Sequence, residues 1–174
     1  MKTTLNKIRY RSPCKGGWKK LLTHLGKTKA DKEQLPILTI LEVLGLDDAI
    51  WCLRAVDGHE KEKRLLAVAF ARRVQHLLKY PSLVAALDIA ERYAQGNATD
   101  DEMAAASAAA DDAAAAEPDA WAAAGAASRA AAWAVDASLG DASWAAFYAR
   151  EASANPTAEL EAQAAIMREM LTSA

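Results

Sequence analysis

Thr99-Asp100-Asp101-Glu102-Met103-Ala104-Ala105-Ala106-Ser107 opens the stretch whose reading decides the fold. A threonine followed three residues later by a glutamate is a reciprocal helix start. The Thr99 hydroxyl can accept from the Glu102 amide while the Glu102 carboxylate reaches back to the Thr99 amide. Beyond Met103 the composition favours helix, since 27 of the 51 residues from Ala104 to Ala154 are alanine, the strongest helix former. The tract is interrupted by Trp121, Trp133, Trp144, Phe147 and Tyr148 and broken at Glu117-Pro118, Leu139-Gly140-Asp141 and Asn155-Pro156. A last helix is predicted over Pro156–Leu171, with Leu160, Ile166 or Met167, and Met170 or Leu171 inward.

Upstream, the same period recurs. Lys15–Leu25 places Trp18, Leu21, Leu22 and Leu25 at helical spacing before Gly26. Pro36–Leu44 comes next, with Ile37, Leu38, Ile40, Leu41 and Leu44 inward and Gly45 as its stop. Asp47 and Asp48 sit where a new helix dipole favours anions, before Ile50, Trp51, Leu53 and Val56. His59–Tyr80 carries Leu66, Phe70, Val74 and Leu77 or Leu78 as one apolar stripe and is predicted as a single long helix stopped by Pro81. Ser82–Gln95 repeats the pattern and ends at Gly96. Nothing alternates with a period of two over a useful length, so the chain reads as all-α, an array of about seven to nine antiparallel helices.

The length of 174 residues fits one domain, expected over 13–174, with mixed-charge helices to residue 96 and acidic Ala- and Trp-rich helices from 97. Residues 1–12 read as a basic arm. Hydrophobic residues make up 52% of the chain, but 43 of them are alanine, so few side chains can fill a core. No charge-free apolar run reaches membrane-spanning length, and the basic start is not followed by the apolar stretch of a secretory signal. Two cysteines, Cys14 and Cys52, without CxxC spacing fit a reducing compartment. The expectation is a soluble, cytoplasmic protein.

The net charge of −2 hides a polarised chain. Met1–Ala30 carries nine basic residues and no acid, whereas Pro81–Ala174 carries four basic residues against fifteen acidic ones. Opposed poles of this kind either pair within the fold or present opposite potentials to partners.

Chemistry-bearing patterns are sparse. His24, His59 and His76 form no metal-ligand spacing, so no metal site is expected. Cys14 precedes a helix start beside Lys15, a setting that activates thiols, yet no motif supplies a base; Cys52, between Trp51 and Leu53, reads as a small core hydrophobe. Neighbours in the Asp47-Asp48 and Asp111-Asp112 pairs point about 100° apart on a helix and share a proton or metal poorly. Lys15-Gly16-Gly17 is too short for a phosphate loop. No catalytic residue, cofactor or enzyme activity is therefore expected. The tryptophans, spaced by 12 and 11 residues, read as core spacers between alanine-rich helices; a base-stacking role fits poorly beside Asp119 and Asp136.

Several stretches resemble a known family. Gly17-Trp18-Lys19-Lys20-Leu21-Leu22, Leu25-Gly26-Lys27-Thr28, Leu38-Thr39-Ile40-Leu41-Glu42, Gly45-Leu46-Asp47-Asp48-Ala49-Ile50-Trp51-Cys52-Leu53-Arg54-Ala55-Val56 and Arg73-Val74-Gln75-His76-Leu77-Leu78 look like a family of bacterial immunity proteins, an Ala/Trp-rich helical, immunity-five-like group. The similarity continues through Ala90-Glu91-Arg92-Tyr93-Ala94 and Ala98-Thr99-Asp100-Asp101-Glu102. Family members usually interleave arginine with the alanine and tryptophan, where this chain carries aspartate. The resemblance implies an all-helical protein that neutralises a toxin by binding it, and it carries over no site residue.

The expected function is a binding inhibitor that occludes a toxin, nuclease or other effector protein. Its acidic face would be Asp100, Asp101, Asp111, Asp112, Asp119, Asp136 and Asp141, suited to a basic, nucleic-acid-handling target. A phage-encoded inhibitor of a bacterial, CRISPR-type defence complex is a close variant. Two other classes remain open: a self-associating module, and nucleic-acid binding through the basic N-terminus, where Lys15, Lys19 and Lys20 join Lys7, Arg9 and Arg11.

Overall fold

The computed structural model describes residues 1–117, 123–135 and 142–173. The fold is all-α, as its periodicity predicts: the described residues form ten α-helices and one two-stranded sheet of three residues per strand. The chain divides into two compact units, 1–59 with 164–174, and 60–163.

In the first unit, strand β1 (Lys2–Thr4) pairs antiparallel with β2 (Gln34–Pro36), Thr3 opposite Leu35. Helix α1 (Leu5–Tyr10) begins at once, capped by the Thr4 hydroxyl accepting from the Lys7 amide. Residues 1–12 are thus folded rather than an extended arm. Thr3, Leu5 and Ile8 are buried, and the Thr3 hydroxyl donates to the Ala55 carbonyl. The misreading has a physical source. A three-residue strand is too short to show a period of two, its partner lies some thirty residues away, and four basic side chains surround the apolar pair Leu5 and Ile8.

Helix α2 (Lys15–His24) buries Leu21, and α3 (Ile37–Leu44) buries Ile37, Ile40 and Leu41. Gly45 joins α3 to α4 (Leu46–Cys52) at φ 96° and ψ −177°, a conformation that side-chain-bearing residues scarcely adopt, so two helices abut with a one-residue break. Asp47 and Asp48 lie in the first turn of α4, where the dipole favours them. A 3-10 turn, Leu53–Ala55, buries Leu53.

The second unit begins with α5 (Glu60–Arg72), then a 3-10 turn at Gln75–Leu77 and α6 (Pro81–Ala94). The single helix predicted over His59–Tyr80 is therefore two pieces. Pro81 occupies the first turn of α6, and proline disfavours helical backbone at the residue before it, so Tyr80 is extended. Leu78 is already extended, while Val74 stays buried. At its far end α6 closes on Gly96 at φ 77°, with the Asn97 amide donating to the Arg92 carbonyl and Gly96 to Tyr93.

Helix α7 (Asp100–Ala115) starts at the predicted capping box: Glu102 N donates to Thr99 Oγ1 at 3.1 Å and Thr99 N to a Glu102 carboxylate oxygen at 2.8 Å. It buries Met103, Ala106, Ala110, Ala113 and Ala114. Helices α8 (Ala123–Val135) and α9 (Ser143–Ala152) pack alanine against alanine, with Ala126, Ala127, Ala130, Ala131 and Ala134 of α8 and Ala145, Ala146 and Ala149 of α9 buried.

That packing overturns the expectation that tryptophans space the core. Trp133 is 37% exposed and Trp144 45% exposed. Methyl side chains on both faces let the helices approach too closely for an indole to fit between them, so the rings lie at the edge of the contact. Trp121 and the predicted breaks at Pro118 and at Leu139-Gly140-Asp141 lie outside the described residues.

Helix α10 (Pro156–Ser173) runs from residues of the second unit into those of the first. Met167 is buried, but Leu160, expected inward, is exposed, and Glu159 and Gln163 are buried instead. A polar network inside the second unit accounts for the reversal. Arg73 Nε donates to both Glu159 oxygens at 2.7 and 2.8 Å, while Gln163 Nε2 donates to the Ala146 carbonyl and to Glu159, each at 3.1 Å. These bonds satisfy groups that would otherwise be costly to bury.

Candidate functional site

Eleven residues along an α-helix return to within about 20° of the same direction. Asp100 and Asp111 therefore share one line along α7, and Asp101 and Asp112 the next. All four are exposed, as are Ala104, Ala105, Ala108 and Ala109 between them. The outward face of α7 is a smooth methyl surface with an acidic pair near each end. Asp100 accepts from the Tyr93 hydroxyl at 2.7 Å, which raises the phenol's pKa. Asp119, Asp136 and Asp141, the other predicted members of the acidic face, lie outside the described residues.

Beyond α7 the surface is aromatic. Trp133 and Trp144 stack with ring centroids 5.7 Å apart and planes at 25°. Trp144 in turn stacks on Tyr148 at 6.0 Å and 29°, and Phe147 meets both edge-on at 5.8 and 5.2 Å. One helical turn brings Trp144 and Tyr148 to the same side of α9, and the alanine contact between α8 and α9 brings Trp133 up to them. The result is a partly exposed ladder of rings.

Between α7 and α8 lies a cavity of about 220 Å³ lined by Asp111, Ala114, Ala115, Arg129, Ala132 and Trp133. It joins the acidic face to the ladder, since Asp111 and Trp133 both line it. Arg129 Nε is buried there without a hydrogen-bond partner. Nothing in the sequence pattern distinguished Arg129 from a solvated helix charge, because its surroundings depend on how closely α7 approaches α8.

The basic candidates belong to the first unit. Lys15, Lys19 and Lys20 are exposed on α2, and the latter two line a groove of about 700 Å³ with Gly16, Thr23, His24, Glu42 and Val43. Other cations of this unit face acids close by: Lys7 pairs with Asp57 at 2.5 Å, and Lys27 with Asp31 at 2.7 Å and Glu33 at 2.6 Å. The hydrogen bond between Lys27 and Asp31 raises the pKa of the lysine and lowers that of the aspartate.

Cys14 is the N-cap of α2, its Sγ accepting from the Gly17 amide at 3.2 Å, and is exposed. A side chain at Gly17 would meet Cys14 Sγ and Asp48 Oδ1 at 3.1 Å each, so the glycine permits a close approach of α2 to α4. Burial raises the Asp48 carboxyl, with Asp47 adding and Lys20 opposing. Burial likewise pushes the Cys52 thiol up to about 12, helped by Asp48. Cys52 is accordingly a protonated core side chain at neutral pH.

Among the described residues no group of three or more His, Cys, Asp or Glu is placed to hold a metal ion, and no helix is long and apolar enough to cross a membrane. Comparison with protein-family models, with curated proteins and with solved structures finds no match.

Proposed function

We propose that this protein is a non-catalytic binding inhibitor that neutralises a toxin or effector protein by occluding it, and that the second unit supplies the binding surface. The observation that carries this reading is the exposed stack of Trp133 on Trp144, with Tyr148 and Phe147 alongside. Large aromatic rings left at a surface are what protein interfaces use as anchors, since they offer wide apolar contact at little entropic cost. Their setting selects the partner's charge. The second unit carries sixteen acidic side chains against nine basic ones, a net of −7, and Asp111 and Trp133 line the same cavity. A basic face, such as the nucleic-acid-binding side of a nuclease, fits both features: its lysines and arginines meet the aspartates, and cations also favour the faces of indoles. The resemblance to immunity proteins implies a toxin as the partner, and a phage-encoded inhibitor of a defence complex would use the same surface against a different target.

The test is inhibition of a panel of basic nuclease toxins, and of CRISPR-type effector complexes, by wild-type protein and by the Trp133→Ala/Trp144→Ala variant. Inhibition is expected to weaken as salt rises past the point where the Debye length falls to about 8 Å. The double variant is expected to retain wild-type helicity and lose at least about tenfold in affinity. Inhibition untouched by either change would show that the surface lies elsewhere.

A further inference from the structure

The arginines of the second unit are engaged, with one conspicuous departure. Arg64 donates to the Val135 carbonyl at 3.0 Å and lies over the Tyr93 ring; Arg72 bridges Asp88 and Glu91. Arg73 grips Glu159, Arg92 reaches Glu102 and the Asn97 carbonyl, and Arg150 donates to Gln163. Arg129 instead has its Nε buried with no acceptor, beside a cavity that its own side chain lines. A guanidinium nitrogen removed from water and given nothing in return is unfavourable unless something else supplies the acceptor.

The cavity's shape and walls say what that could be. Its volume of about 220 Å³ corresponds to about seven water volumes and lies below the usual range of drug-sized pockets, so the occupant is small. Trp133 lies four residues after Arg129 on α8, which puts the indole and the guanidinium on the same side of the helix one turn apart. Among the described residues, Ala114, Ala115 and Ala132 add methyl groups to the wall. An indole and three methyls favour a flat apolar body, while the guanidinium fork matches the two oxygens of a carboxylate. Asp111, exposed and lining the same cavity, disfavours a doubly charged anion such as phosphate.

We propose that the cavity between α7 and α8 is a binding site for a small, flat monocarboxylate, its carboxylate received by Arg129 and its body lying against Trp133. The site shares Trp133 with the docking surface, but Arg129→Gln leaves the exposed indoles in place, so loss of ligand binding in that variant is separable from loss of partner binding.

Benzoate is the probe, with inorganic phosphate and N-acetylglutamate amide as competitors of different shape and charge, the last standing for a partner's side chain. Binding is read from the methyl resonances of labelled alanines and from tryptophan fluorescence. Saturable shifts confined to the alanines of α7 and α8 are expected, with affinity falling at least about tenfold in Arg129→Gln, the loss typical of a charge-assisted hydrogen bond. Ala115→Leu, which fills the cavity from its exposed edge, is expected to block binding even if the arginine variant misfolds. Three outcomes would each overturn the assignment: no saturable shift with benzoate, unchanged affinity in both variants, or tighter binding of phosphate or of the glutamate derivative.

Discussion

At Thr99, a single hydroxyl and the Glu102 carboxylate close the start of α7 with two reciprocal bonds. The Thr99 amide, and after it Arg92, lowers the pKa of Glu102. A carboxyl whose folded pKa lies below its unfolded value contributes stability above the unfolded value and loses it as pH falls through the folded one. Thr99→Ala is therefore expected to cost about 1 kcal/mol at neutral pH by chemical denaturation. The gap to wild type should narrow in acid, as protonation of Glu102 removes the other half of the cap. A gap that is constant from neutral to acid pH would show that the two bonds are not coupled. This residue-scale feature was legible because a cap is local: donor and acceptor lie within four residues. Arg129 was not legible for the opposite reason, its environment being made by a neighbouring helix.

Among elements, α10 shows how a polar pair can displace an apolar stripe. Leu160 faces solvent because Glu159 is held by Arg73. Removing either partner should not cost the same. Arg73→Ala strands a buried carboxylate, Glu159 being only 5% exposed, and is expected to destabilise the protein by about 3 kcal/mol in thermal or denaturant unfolding. Glu159→Gln leaves a neutral amide able to keep a hydrogen bond, and Arg73, 36% exposed, can turn to water, so its cost should be clearly smaller. Equal costs would mean that the pair contributes by packing rather than by charge. The same scale explains the tryptophans. Their spacing showed that they recur on similar faces, but the choice between core and edge depended on how far apart α8 and α9 lie, which alanine on both helices settles. Likewise the chain leaves helix after Arg72, although the apolar period continues through Val74.

Over the whole chain, the polarity seen in sequence becomes a difference between units. Residues 1–59 with 164–174 carry twelve basic and seven acidic side chains, a net of +5, opposite in sign to the −7 of residues 60–163. The first unit also needs the last residues of the chain, since Met167 is buried and groups with it. Met167→Ala is expected to destabilise that unit by roughly 2–5 kcal/mol, seen as earlier exchange of the amides of α3 and α4. Unchanged protection of those amides would separate the C-terminal residues from the first unit's core.

The sequence by itself determined the helical fold, the capping box of α7, the glycine stops after α3 and α6 and the exposed aspartates of α7. All of these arise from interactions within a few residues or from a repeat along one helix. Tertiary structure alone decided that residues 2–4 form a strand, that the indoles stand outside the alanine contact, that Glu159 rather than Leu160 turns inward, and that a cavity opens beside Arg129. Each of these depends on the separation of segments distant in the chain, and alanine, being equally at home buried or exposed, leaves no pattern from which that separation could be read.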